Sequence, residues 1–202
     1  MSLNPSKLTN DLYNIFQKMS KNYESYFPKE LSSTIADYVE SGIVNTSDNG
    51  SISGGSFNGS GIGTIKVDAS ICEKIIVASC KAMKQMTDGG DLLLSTQLAL
   101  GVDEMMKAST IIINVNGIMT PPSPLSPTPM SGITRGKFSS KKSLIQSSVL
   151  SAFLAMSGMV KDGDKFMATQ IAIAITTYLK QGSISSQGSE NLSGSNGSGS
   201  LI

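Results

Sequence analysis

The side chains that could do chemistry in this sequence are few, and they limit the kinds of enzyme it could be. The chain of 202 residues contains no histidine and two cysteines. Without histidine, the common catalytic triads and histidine-ligated metal sites are excluded. Cys72 and Cys80 lie on one predicted helix, roughly 12 Å apart along its axis, which is too far for a disulfide, and two thiols are too few for a four-ligand zinc site. We therefore expect reduced thiols, no catalytic residues, no bound metal and no cofactor.

Two acidic turns and one glycine-rich segment are the remaining candidates for ligand binding. The turns at 88–91 and 162–164 lack the additional carboxylates and the closing glutamate of a calcium loop, so we expect them to cap the helices that follow. The segment GITRGK at 132–137 has three residues between its glycines where a phosphate loop needs four. Phe138 stands where Ser or Thr would bind magnesium. This segment is therefore not expected to bind phosphate.

The structural elements that position these residues belong to an internal repeat. Shifting the chain by 73 residues aligns 57–111 with 130–184 and gives 13 identities. A more diverged copy lies near the start of the chain, where Phe27, Leu31, Ile35 and Val39 are in register with Leu94, Leu98, Val102 and Met106. The same apolar helix face therefore occurs three times in the sequence.

Apolar spacing within each copy is typical of two amphipathic helices. Pro5 and Pro28 suit first helical turns, Gly42 suits a left-handed helix end, and Ser70 with Glu73 suits a capping box. The segments between the pairs are rich in Gly and Ser or in Pro, and STIIINV at 109–115 is the best strand candidate. We predict a mainly α protein made of three tandem antiparallel helical hairpins, joined by extended Gly/Ser-rich and Pro-rich connectors with short β-strand pieces.

The predicted boundaries follow these changes in composition. The hairpin units are 1–44, 64–110 and 139–184, the connectors are 45–63 and 111–138, and 185–202 is a low-complexity tail that we expect to be disordered. Large core residues are scarce, with no Trp and 11 Met, so the Met pairs are expected to pack the core. A core this thin favours assembly with copies or partners.

Charge and hydropathy exclude two classes of partner. The net charge of +1 indicates neither nucleic acid nor an anionic membrane surface as a partner. No segment approaches the roughly 20 apolar residues of a membrane span, and the N-terminus does not resemble a secretory signal.

Two segments carry a resemblance to a known class of protein. SGIVNTSDNGSISGGSFNGSGIGTI and NVNGIMTPPSPLSPTPMSGITRGKF each lead into a helical hairpin rich in Ala, Ser and Met. In this architecture most of the chain resembles structural proteins encoded among the virion genes of tailed, chiefly contractile-tailed, bacteriophages, although the first unit lacks a Gly-rich lead-in. The resemblance implies a non-enzymatic, multi-copy virion component of the tail, baseplate or capsid, made in the host cytoplasm, whose partners are other virion proteins and copies of itself.

The expected mechanism is docking on neighbouring subunits. Helical hairpins would dock through their apolar faces, while the connectors 43–67 and 109–138 would lie along neighbours and add strands or wrap surfaces. The expected interface residues are Ile111, Ile112, Ile113, Pro121, Pro122, Pro124, Arg135 and Lys137. The basic cluster that Arg135 and Lys137 form with Lys141 and Lys142 fits either a solvated helix start or docking on an acidic partner.

A second function class fits the same periodicity. An intracellular helical-repeat adaptor would bind a peptide or protein partner in a groove between hairpins. An enzyme is the third hypothesis, since nothing in the sequence supplies its acid, base or metal.

Overall fold

A computed structural model describes residues 3–18, 23–122, 125–159 and 161–202, with the side chains of residues 23–25 and 190 left undescribed. Pro124 of the expected interface lies outside the described residues. The helices are α1 (Pro5–Lys18), α2 (Tyr23–Glu40), α3 (Ala69–Met83), α4 (Gly90–Lys107), α5 (Ser143–Met156) and α6 (Gly163–Gln181). The strands are β1 (Val44–Ile52), β2 (Gly55–Lys66), β3 (Thr110–Thr120), β4 (Thr128–Ser139), β5 (Ser183–Gly188) and β6 (Ser195–Leu201).

The six strands form a closed antiparallel barrel in chain order. Each strand pairs with the next one along the chain, and β6 pairs with β1 to close the barrel. The backbone bonds between Ile43 and Ile202, both 2.9 Å long, extend that closing seam. β5 pairs only with Thr134–Ser139 of β4, so the first residues of β4 pair with β3 alone.

The helices form a second ring at one end of the barrel. Each helix packs against its two neighbours in chain order, and α6 packs against α1. The even-numbered helices run directly into β1, β3 and β5 through connections of one to three residues. One hydrophobic core extends from the helix ring into the barrel.

The strand register shows that the three units are related by a pseudo-threefold axis. Val44 pairs with Gly63, Ile111 with Gly136 and Ile184 with Gly199, at the same place in the three hairpins. Residues at the same sequence distance from these pairs occupy equivalent positions in the three units, both in the even-numbered helices and in the barrel. Each unit is a helical hairpin followed by a β-hairpin, and the repeat found in the sequence is this combined unit.

The narrow barrel explains the glycine-rich sequence. Eight strands give a barrel just wide enough for side chains to fill, so six strands leave less room inside. A methyl group added to Gly61 would collide with Ile113 and Thr46, and one added to Gly197 would collide with Asp48 and Ser186. Inward-facing glycines therefore make room for the larger side chains of neighbouring strands.

The prediction of a mainly α protein with extended connectors is wrong. The segments interpreted as connectors form β1 to β4, and the predicted disordered tail contributes the end of β5 and all of β6. Local sequence signals for linkers were misleading because Gly and Ser are also the residues that fit inside a narrow barrel. The strands pair with one another, so they are not arms laid on neighbouring subunits.

Several local predictions are corrected as well. The cap of α3 is Asp68, whose carboxylate accepts a bond from the Ser70 amide, rather than a Ser70–Glu73 capping box. The side chains of the acidic turns make no capping bond, since α4 starts from Gly89 and α6 from Asp162, both in left-handed conformations. Gly42 is not left-handed; a methyl group there would lie 2.9 Å from Leu201 Cδ1.

Candidate functional site

An apolar concave site lies at the end of the helix ring away from the barrel. We call it the apical cavity, and its volume is about 300 Å³. Its described lining is mainly apolar and comes from all six helices. The lining residues are Phe16, Phe27, Leu31, Met83, Gly90, Asp91, Leu94, Leu98, Val149, Phe153, Met156, Asp164, Met167 and Ile171.

The pseudo-threefold axis organises the lining of the apical cavity. Its floor consists of the equivalent residues Leu31, Leu98 and Ile171, which are at most 4% exposed. One helical turn nearer the mouth, the equivalent residues are Phe27, Leu94 and Met167. The three units therefore present the same two levels of apolar contact around one axis.

Four exposed apolar side chains lie outside the lining of the apical cavity but at the same end of the helix ring. Met86, Leu92, Leu154 and Met159 lie in the last or first turns of α3 to α5 or in the adjoining loops, and are 41% to 64% exposed. We call these four residues the apical rim. Exposed apolar side chains near a cavity add surface that a partner can cover, and methionine adapts to irregular partners.

Two carboxylates lie at the otherwise apolar mouth of the apical cavity. Asp91 and Asp164 are equivalent residues in the first turns of α4 and α6, where the helix dipole favours a negative charge. Asp164 also accepts a 3.0 Å bond from the Gln17 side chain and so ties α6 to α1. These acidic residues therefore hold helix starts at the mouth, although they do not cap the helices.

Buried polar pairs lie deeper, where the even helices meet the barrel. Tyr178 donates a 2.8 Å bond to Asp103, whose other carboxylate oxygen lies 2.8 Å from the Lys107 ammonium group. Tyr38, equivalent to Tyr178, bonds the Thr176 hydroxyl at 2.7 Å. Burial, followed by the bond and charge of Asp103, raises the pKa of Tyr178, so this phenol stays protonated and ties α6 to α4.

The two thiols are buried at helix contacts. Burial raises the pKa of the Cys72 thiol to about 11, so it is a poor nucleophile. Cys80 is 1% exposed. Among the described residues, no three His, Cys, Asp or Glu side chains come together as metal ligands would. None of the described helices combines the length and hydropathy needed to cross a membrane.

The residues predicted for an interface separate into two groups. Ile111 and Ile113 point into the barrel and are at most 2% exposed, so they contact no neighbour. On the outer surface are Ile112, Arg135, Lys137 and Pro122, and Pro121 is half-buried after β3. Alternation along a strand separates Ile112 from its two neighbours.

Sequence reasoning missed the apical cavity as a site. The signal was present, because the aligned stripes contain Phe27, Leu94 and Met167. The sequence analysis predicts that these stripes are apolar faces through which separate hairpins dock on neighbouring subunits. Only the closure of six helices into a ring places the stripes around a common cavity.

Comparison with known proteins adds no family to this geometry. No family model, curated protein or solved structure matches the chain. Arguments about function therefore rest on the site itself.

Proposed function

We propose that this protein is a non-enzymatic structural component of a virion, of the kind found in tailed phages, which holds a neighbouring structural protein through its apical cavity. The observation that carries the proposal is an apolar cavity on the pseudo-threefold axis, at the end of the helix ring that also carries the exposed apical rim. The resemblance of the sequence to virion proteins supplies the biological setting.

The symmetry of the lining favours one kind of occupant. Three equivalent pairs of apolar residues surround one axis, so three equivalent segments of a neighbour could make the same contacts. Symmetric oligomers present such repeated segments around their axes. The proposed occupant is therefore a set of apolar side chains from a threefold-symmetric neighbour.

Burial of apolar surface would supply the binding free energy. Fully burying one large apolar side chain contributes about 1.5 to 3 kcal/mol, and the apical rim adds exposed methionine and leucine surface. The lining of the apical cavity comes from helices, so contacts between side chains must provide the affinity.

Co-expression with the products of the flanking genes tests this proposal. We expect one of these products to be a virion structural protein that co-elutes with the wild type as a complex. Leu94→Lys places a charge in the cavity wall and should abolish co-elution. The matched control, Ile173→Lys, changes a residue that is 48% exposed on α6 and should retain it. Melting curves of both variants check that the fold is intact.

Two outcomes contradict the proposal. One is a complex that forms equally well with wild type and folded Leu94→Lys. The other is flanking genes that encode no sheath, tube, baseplate or capsid protein.

An adaptor that binds a peptide is a second candidate, favoured by a different cavity. A groove of about 270 Å³ runs between α1 and α2, with Lys7 and Asp11 on one wall and Glu30 and Asp37 on the other. A peptide bound in this groove would be lost on Glu30→Lys and kept on Leu94→Lys, the reverse of the result expected for the apical cavity.

A further inference from the structure

One side of the barrel carries an apolar cluster that pseudo-symmetry does not require. Ile62 on β2 and Ile133 on β4 both pair with Asn114 of β3, on opposite sides. Ile112 lies two residues before Asn114, diagonal to both at about 7 to 8 Å. All three face outward and are 45% to 66% exposed. We call them the isoleucine triad.

The other two sides of the barrel provide an internal comparison. On the second side, the positions equivalent to the isoleucine triad under the pseudo-threefold axis are occupied by Arg135, Ser185 and Asn196. On the third side they are occupied by Ser198, Asn45 and Ser60. The strands form with polar residues at six of these nine equivalent positions. A strand at this place therefore does not need isoleucine for folding, and the triad exposes apolar surface without a structural reason.

Two cations border the isoleucine triad on one side. Arg135 pairs directly with Ile112 across β3 and β4, and Lys137 follows two residues along the same outer face. Neither cation forms an ion pair with a described residue. Both cations line a surface cavity of about 580 Å³, whose described lining also includes Gln187 and Asn196 but no carboxylate.

We propose that this side of the barrel, formed by the isoleucine triad with Arg135 and Lys137, docks an acidic amphipathic segment of a partner protein. Apolar side chains of the segment cover the triad, and its carboxylates meet the two cations. At the triad β2 and β3 are paired on both sides, so the segment lies across these strands and binds through side chains rather than as an added strand. This surface is separate from the apical cavity, and either proposal can fail without the other.

Charge complementarity selects this partner. Unpaired cations beside apolar surface favour carboxylates and disfavour a basic segment, because like charges repel. Arginine adds a planar guanidinium group that binds a carboxylate through two hydrogen bonds. A neutral apolar partner would leave both cations without a counter-charge.

Fluorescence anisotropy with labelled nine-residue peptides tests the proposal on the full chain. The probe alternates leucine and glutamate; a second peptide replaces glutamate with lysine, and a third replaces leucine with serine. We expect saturable binding of the first peptide, at least tenfold weaker binding of the other two, and weakening as salt rises.

Variants identify the surface. The triple variant Ile62→Ser, Ile112→Asn and Ile133→Ser installs the residues of the third side, where the strands already accommodate them, and should weaken binding at least tenfold. Arg135→Gln with Lys137→Gln should do the same. Lys81→Gln with Lys165→Gln removes equal charge from exposed positions on α3 and α6, away from the barrel, and should leave binding unchanged. Melting curves confirm that each variant is folded.

Several results would overturn the proposal. They are no saturable binding of the leucine-glutamate peptide, equal binding of the lysine peptide, or unchanged binding to the folded triple variant. A wild-type dimer in sedimentation that becomes monomeric in the triple variant would assign the surface to a second copy instead.

Discussion

Tyr38 and Tyr178 occupy equivalent positions in the first and third units, but their hydroxyl groups have different partners. Tyr178 bonds the Asp103 carboxylate, whereas Tyr38 bonds the Thr176 hydroxyl. In the second unit the equivalent residue is Met105, which has no hydroxyl group. The pair thus compares a charged and a neutral hydrogen bond at matched buried sites.

Removing each hydroxyl should have unequal effects on stability. A hydrogen bond to a charged group contributes about 1.5 to 3 kcal/mol and a neutral one about 1 kcal/mol. We expect Tyr178→Phe to lower the free energy of unfolding by about 2 to 3 kcal/mol and Tyr38→Phe by about 1 kcal/mol, measured by urea denaturation at neutral pH. Equal losses would contradict the role assigned to Asp103.

Tyr178 should also make the fold sensitive to alkali. Its pKa is raised in the folded state above the ordinary value of 10.0, so folding favours the protonated phenol. The resulting stability is fully present below pH 10 and is lost as pH rises above it, because the unfolded chain then releases the proton first. We expect the melting temperature to fall less steeply above pH 10 in Tyr178→Phe than in wild type.

At the scale of single elements, the contact between α3 and α4 depends on one missing methyl group. Gly101 is buried within α4, and a methyl group there would lie 2.9 Å from Cys72 Sγ. Glycine inside a helix otherwise costs about 1 kcal/mol relative to alanine. Close packing of the helices, rather than helix propensity, explains glycine here.

Alanine at position 101 should therefore destabilise the protein. We expect Gly101→Ala to cost about 1 to 3 kcal/mol through overpacking, whereas Gly90→Ala in the same helix should be neutral or slightly stabilising, since its nearest contact would be Met83 Sδ at 3.7 Å. Adding Cys72→Ala to Gly101→Ala should cost less than the sum of the single changes in denaturation experiments. Strict additivity would exclude the steric explanation.

At the scale of the whole molecule, closure of both rings holds the three units together. Each helix and each strand contacts its neighbours in chain order, so the last element completes the circle with the first. The three units therefore share one continuous core, and the expectation that a thin core favours assembly stays a prediction. The proposed docking surfaces therefore belong to a scaffold whose units already pack on one another.

Deleting residues 194–202 tests this closure. The deletion removes β6 and exposes the edges of β1 and β5, so we expect loss of the cooperative thermal transition and association of the protein in size-exclusion chromatography. Ser198→Thr, an outward change on the same strand, should retain wild-type melting. A truncated protein that melts like wild type would restore the disordered-tail prediction.

Periodicity in the sequence determined the helices and the threefold repeat. Apolar residues every three to four positions require a buried helical face, and the aligned stripes of α2, α4 and α6 are local properties of the chain. The tertiary structure alone decided what lies between the hairpins. Glycines at 59, 61 and 63 have the two-residue spacing of a strand, but their inward role exists only when six strands close around a narrow interior. Closure also placed Ile112 on the outer surface and its neighbours Ile111 and Ile113 inside. It brought Ile62, Ile112 and Ile133 together on one surface, which the sequence does not show because paired strands are distant in the chain.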